Sequence, residues 1–136
     1  MQSLQRPDLI DMGRKFHAAT GHASRFDEAA FCVALDQIEA QGGLFTSKRG
    51  MIGGVIAPMW CAPDWKAAVE LFWWAEDGQG LRLLRRFEQW ARDMGAQEIR
   101  MTTLAAMPEA ERALRHYERA ETSWTRAVLP PAQDKD

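Results

Sequence analysis

The sequence predicts an α/β fold in which a mixed sheet is covered by helices. Three observations predict it. The chain has 136 residues, 46% of them hydrophobic and 26% charged, which is the balance and size of one globular domain. The apolar spacing switches from a helical period to a strand-like one near Leu44, and back to a helical one after Gly80. The elements then read α α β β β α β α β, and strands interrupted by helices argue for a mixed sheet packed against helices.

Pro7 to Thr20 is expected as the first helix. Pro7 suits its first turn and Gly21 the residue past its end, while Leu9, Met12, Phe16 and Ala19 recur at helical spacing. Asp27 caps the second helix. Phe26 precedes the cap and Phe31 follows it by four residues, the spacing of a hydrophobic staple. Phe31, Ala34, Leu35 and Ile38 form its apolar face, Cys32 is expected as a small buried hydrophobe, and Gly42-Gly43 ends it.

Leu44 to Ser47 and Met51 to Trp60 are expected to form a hairpin around Ser47-Lys48-Arg49-Gly50. Gly53-Gly54 marks a bulge or a close backbone approach. Pro63 and Asp64 fall in a loop. Ala67 to Trp74 is a near-continuous apolar run, suited to a strand buried on both faces, with Glu70 as the anomaly in its middle. After Asp77-Gly78-Gln79-Gly80 a helix runs to Met94, its core face being Leu83, Leu84, Phe87, Trp90, Ala91 and Met94. Glu88 can pair with Arg92 on its surface. Ile99 to Thr103 is a short strand, Pro108 opens a helix through Leu114 and Tyr117, and Ser123 to Leu129 is a last strand. Residues 1–129 thus make one domain, and the polar tail 130–136 is expected to be disordered.

Several function classes are disfavoured. The net charge of −2 argues against a nucleic-acid partner. No apolar run approaches the ~20 residues of a membrane span, so no membrane partner is expected. The N-terminal residues carry no signal-peptide apolar core, and the expected location is the cytoplasm. The two cysteines, Cys32 and Cys61, and the three histidines show no metal-ligand spacing, so no metal is expected. Neither a GxSxG elbow nor a phosphate-loop GxxxxGK[ST] is present.

The stretch from Glu70 to Met94 carries the chemistry. Gly78 and Gly80 let a ligand approach the backbone, and the helix behind them presents free N–H groups and the positive end of its dipole. Together they suit a phosphate or pyrophosphate, with Arg82 adding a charge-assisted contact.

The run ELFWWAEDGQGLRLLRRFEQWARDMGAQEIRMTTL resembles the cofactor-binding core of the GNAT superfamily of acetyl-CoA-dependent N-acetyltransferases, in the style of small bacterial or prophage members. ALRHYERA resembles that family's later helix with its tyrosine. Element order agrees from Pro7 to Leu129, and the motif-level likeness spans Glu70 to Tyr117. Ala75 stands where the family usually has Gln or Arg, and Glu121-Thr122 where it usually has Gly-Phe.

The resemblance implies a central, mostly antiparallel sheet of about six strands flanked by about four helices. It implies acetyl-CoA as cosubstrate, an amine acceptor as partner, and it allows a homodimer. The pantetheine arm would bond the backbone of Trp73, Trp74 and Ala75. The pyrophosphate would sit on the N–H groups of Gly78, Gln79, Gly80, Leu81 and Arg82. Glu70 would act as general base and Tyr117 as acid toward the leaving thiolate, with a strand N–H holding the oxyanion. Plainer roles stand beside these. Glu70 can face solvent or bridge to Lys66, Arg49 or Arg100, and Tyr117 can be a core aromatic. Two rival functions are a catalytically inactive CoA-binding or interaction module and a nucleic-acid-associated accessory factor using the Arg82–Arg92 face, the latter disfavoured by the acidic net charge.

Overall fold

The computed structural model describes residues 4–105, 107–121, 123–126 and 128. Helix α1 spans Arg6–Thr20, α2 Glu28–Ala40 and α3 Gly80–Asp93. Strands β1 to β4 are Leu44–Ser47, Gly50–Met59, Ala62–Ala75 and Glu98–Arg100. They form one sheet in the order β1-β2-β3-β4. The first three are antiparallel neighbours, whereas β4 runs parallel to β3. A parallel pair needs a crossover, and α3 supplies it.

Local chemistry sets the elements. The Asp27 carboxylate accepts the Ala30 N–H at 3.0 Å, and the Phe26 and Phe31 rings lie 5.3 Å apart, so the cap and the staple form as the spacing predicts. Neighbouring residues of β2 then divide the core. Ile52 is buried with Ala68, Leu83, Leu84, Phe87 and Ala91, on the α3 face. Met51 is buried with Leu9, Met12, Leu35, Ile38 and Phe72, on the α1–α2 face. Alternation along a strand places such neighbours on opposite sides. The sheet is therefore sandwiched, and β3 runs through its middle with helices on both faces.

Several expectations are corrected. Among the described residues there are four strands rather than about six, while the expected four helices are present as three α-helices and a 3₁₀ segment, Pro108–Leu114. Tyr117 lies beyond that segment. β3 begins at Ala62 instead of Ala67, so Pro63 and Asp64 are in a strand. Proline is tolerated there because β4 covers β3 only at Ala67–Val69, leaving the Pro63 edge without a ladder partner. β4 is Glu98–Arg100 rather than Ile99–Thr103. Residues 123–126 and 128 are not in a strand, while 127, 129 and the tail 130–136 lie outside the described residues. Cys32 is half-buried rather than buried. No helix among the described residues is long and apolar enough to cross a membrane.

Candidate active site

The site is built around an irregularity in β3. Its register against β2 jumps from Gly53↔Phe72 to Gly54↔Glu70, leaving Leu71 with no partner. The extra residue of the bulge is therefore on β3, and the paired glycines lie opposite it. A Cβ on Gly54 would collide with the Val69 carbonyl oxygen and press on the Phe87 ring, so this close approach requires glycine.

On its other edge β3 loses its neighbour at the same place. Pairing with β4 runs Ala67↔Glu98, Ala68↔Ile99, Val69↔Arg100 and stops. β4 itself ends at Arg100, so beyond this vertex that edge of β3 has no strand partner among the described residues. The Glu76 N–H donates to the Arg49 carbonyl at 2.8 Å, which fixes the hydrogen-bonding phase of the β2–β3 ladder. Alternation then turns the backbone groups of Phe72 and Trp74 toward β2, and those of Trp73 and Ala75 toward the open gap. Of the three residues expected to bond an extended ligand, Trp73 and Ala75 offer their backbone to the gap and Trp74 does not.

Glu70 sits at the vertex, 6% exposed. Its Oε1 accepts the Thr102 N–H at 2.9 Å. Burial pushes its carboxyl up to about 7, against the opposing effect of that hydrogen bond. The bridges considered from sequence do not form: Arg49 pairs with Asp11 and Glu76, and Arg100 with Glu98 and Glu121. A carboxyl that titrates near neutrality at the mouth of a gap can hold or release a proton there.

The glycine loop follows. Gly78 has φ +74°, the left-handed region glycine favours. The Asp77 carboxylate accepts from Ser47 Oγ and the Arg49 N–H, both at 2.8 Å, and from the Gln79 N–H at 3.2 Å. It therefore clamps the loop to the β1–β2 turn and occupies the Gln79 N–H. Burial pushes the Asp77 carboxyl up, but these hydrogen bonds outweigh it and hold the group below its usual range. Trp73 Nε1 donates to the Gly80 carbonyl at 3.0 Å, fixing the helix start against the strand. The N–H groups of Gly80, Leu81 and Arg82 occupy the first turn of α3, where no intrahelical acceptor exists. A Cβ on Gly80 would meet only ordinary contacts, the nearest at 3.5 Å, so the protein itself leaves this approach open. Arg82 is exposed beside it.

Trp73 and Trp74 face opposite sides of the sheet, packing against the α3 core and the α1–α2 core respectively. Tyr117 stands apart from this group. Its hydroxyl donates to Glu88 Oε2 at 2.7 Å. Desolvation and the Glu88 carboxylate push its ionisation well above the usual tyrosine range. Glu88 also binds Arg85 at 2.8 Å, not the Arg92 expected from spacing. Tyr117 and His116 line a separate cavity of about 350 Å³ with Arg92 and Ile99. Sequence reasoning missed Asp77 and Glu88. Asp77-Gly78 carries the signature of an Asx turn. Glu88 lies four residues after Leu84 and three before Ala91, which puts a charge on the apolar stripe of α3.

The fold is matched among solved structures. A predicted acetyltransferase from Clostridium acetobutylicum, solved with acetyl-CoA, has TM-score 0.64 at 10% identity, over 93% of each chain. A putative acetyltransferase from Agrobacterium tumefaciens has TM-score 0.62 at 12% identity, over 93% of this chain and 97% of that one. The aminoglycoside 6'-N-acetyltransferase of Acinetobacter haemolyticus has TM-score 0.58 at 14% identity, over 91% and 92%. This chain has the GNAT acetyltransferase fold. No protein-family profile matches it, and no curated protein does. Within the GNAT fold, the open edge of β3 at Trp73 and Ala75 and the start of α3 are the features that the sequence resemblance ties to the cofactor.

Proposed function

We propose that the protein transfers an acetyl group from acetyl-CoA to a primary amine by direct attack, with Glu70 as the general base. The observation that supports this most is the coincidence of three features at one vertex: the Leu71 bulge, the end of β3–β4 pairing at Val69, and the buried carboxyl of Glu70.

The residues fit the cofactor. Trp73 and Ala75 offer unpaired backbone to an extended arm, as a neighbouring strand would. The first-turn N–H groups of α3, with Arg82, suit a pyrophosphate. Gln79 contributes no N–H while Asp77 holds it. Bound acetyl-CoA would supply the activated thioester. Glu70 takes a proton from the incoming ammonium, through a bridging water because its carboxyl is so little exposed. The neutral amine would then attack the thioester carbonyl, the carbon–sulfur bond would break, and the second amine proton would pass to the departing thiolate, so no covalent enzyme intermediate is needed.

Tyr117 is better read as an anchor than as the acid. Giving its proton away would leave a phenolate beside the Glu88 carboxylate. The alternative reading, a CoA-binding module without activity, parts from this one at turnover.

The experiment is thiol release from acetyl-CoA in the presence of an amine panel, followed from pH 5 to 9. The expected result is amine-dependent release with kcat/KM rising through about pH 7, where Glu70 ionises, and a Glu70→Gln variant that loses ~10²–10⁴-fold. Saturable acetyl-CoA binding without release with any amine would favour the inactive module.

A further inference from the structure

We propose that Asp77 is a positioning residue for the cofactor: it holds the glycine loop against the β1–β2 turn so that the first-turn N–H groups of α3 stand ready for a pyrophosphate. This rests on the cofactor half of the reading above and not on turnover.

An acid this close to a helix start ordinarily caps it. Such a cap would compete with a bound phosphate for the same N–H groups. Asp77 lies two residues before the N-cap Gln79, yet both of its oxygens are engaged elsewhere. Oδ2 accepts the Ser47 hydroxyl and the Arg49 N–H, each at 2.8 Å, and Oδ1 accepts the Gln79 N–H at 3.2 Å. Gln79 makes no side-chain cap, and the first turn carries no acidic residue. Gly80, Leu81 and Arg82 therefore keep their N–H groups for a ligand.

The anchor is itself fixed. The Arg49 carbonyl accepts the Glu76 N–H at 2.8 Å, and the Arg49 guanidinium binds Asp11 of α1 at 2.8 Å and Glu76 at 3.1 Å. Ser47 is the last residue of β1. At the far end of the loop, Trp73 Nε1 holds the Gly80 carbonyl. Asp77 thus joins the middle of the loop to a turn braced against α1 and β3. Without its carboxylate, residues 77–79 are tied only at their ends. A phosphate then has to order them as it binds, which lowers affinity. Charge acts the other way. A carboxylate near a pyrophosphate repels it, so deleting that carboxylate tightens binding if charge is its main effect. Positioning and repulsion therefore predict opposite shifts in affinity.

The test measures binding of CoA, and of pantetheine, which has the arm without the phosphates, from backbone amide chemical shifts. It compares the wild type with Asp77→Ala, Asp77→Asn and Ser47→Ala. The expected result is that Asp77→Ala weakens CoA binding at least about tenfold. Pantetheine, read at Trp73 and Ala75, stays within about twofold of wild type. Asp77→Asn, whose amide oxygen can still accept one of the N–H groups, falls between wild type and Asp77→Ala. Ser47→Ala weakens CoA binding less, and adds nothing once Asp77→Ala is present. CoA binding by Asp77→Ala as tight as wild type, or tighter, overturns the inference while acetyl transfer stands. An equal loss of CoA and pantetheine binding also overturns it, because the damage then extends beyond the loop. The expected pattern without acetylation of any amine upholds the inference although the acetyl-transfer reading fails. No CoA binding by the wild type overturns both.

Discussion

Replacing Glu70 by glutamine isolates the cost of the buried carboxyl. Glutamine keeps the shape, and its amide oxygen can still accept the Thr102 N–H that Glu70 accepts at 2.9 Å. In the unfolded chain Glu70 ionises near its ordinary value of 4.5, and in the folded protein burial holds it protonated up to about 7. The unfolded state therefore releases its proton first as pH rises. Wild-type stability from this group is fully present below pH 4.5, declines between 4.5 and 7, and is level above 7. The displacement corresponds to about 3 kcal/mol. The glutamine amide does not titrate, so the stability of Glu70→Gln relative to wild type should improve by about 3 kcal/mol between pH 4 and pH 8. Urea unfolding of both proteins at these two pH values measures it. A relative change below about 1 kcal/mol, or one of opposite sign, would show that the carboxyl is solvated or ion-paired and would remove it as a base poised near neutrality.

Two further perturbations follow from the same geometry. Gly54→Ala drives a methyl group into the Val69 carbonyl and the Phe87 ring. It should cost at least the upper end of the ~1–3 kcal/mol typical of overpacking, whereas Gly80→Ala should be nearly neutral; equal urea midpoints for the two would refute the bulge geometry. Tyr117→Phe leaves Glu88 Oε2 without its donor and should cost about 1–3 kcal/mol, with turnover kept within about tenfold. Unchanged stability with a ~10²-fold loss of turnover would return the acid role to Tyr117.

Much of the architecture was legible because its signals are local. The Asp27 cap, the Phe26–Phe31 staple and the stripe of α3 are each written within a few residues, and each forms, except that Met94, expected on the stripe, follows the last helical turn and is 46% exposed. The bulge was half legible. Gly53-Gly54 announces a close approach, but the extra residue is Leu71 on the partner strand, and no local pattern encodes a register between strands. Glu70 stood out as a charge inside an apolar run, and the structure buries it. Its partner, the Thr102 backbone, is 32 residues away and invisible to any window. The same distance problem concealed the Glu88–Tyr117 bond, 29 residues apart, which draws Tyr117 toward α3. Pro63 misled because a breaker signal has no force on a strand edge that needs no donor.

The central claim is that an extended cofactor arm lies along the open edge of β3, with its phosphates on the first turn of α3. The most direct measurement is a titration of the labelled protein with CoA, followed by backbone amide chemical shifts. The account predicts saturable changes at Trp73, Ala75, Gly80, Leu81 and Arg82, with Trp74 far less affected because its N–H is turned toward β2. It also predicts their loss in Gly80→Glu, where bulk and negative charge occupy the approach. Saturable binding that shifts residues elsewhere, such as His116 and Tyr117, would contradict it, as would no saturable change at millimolar CoA.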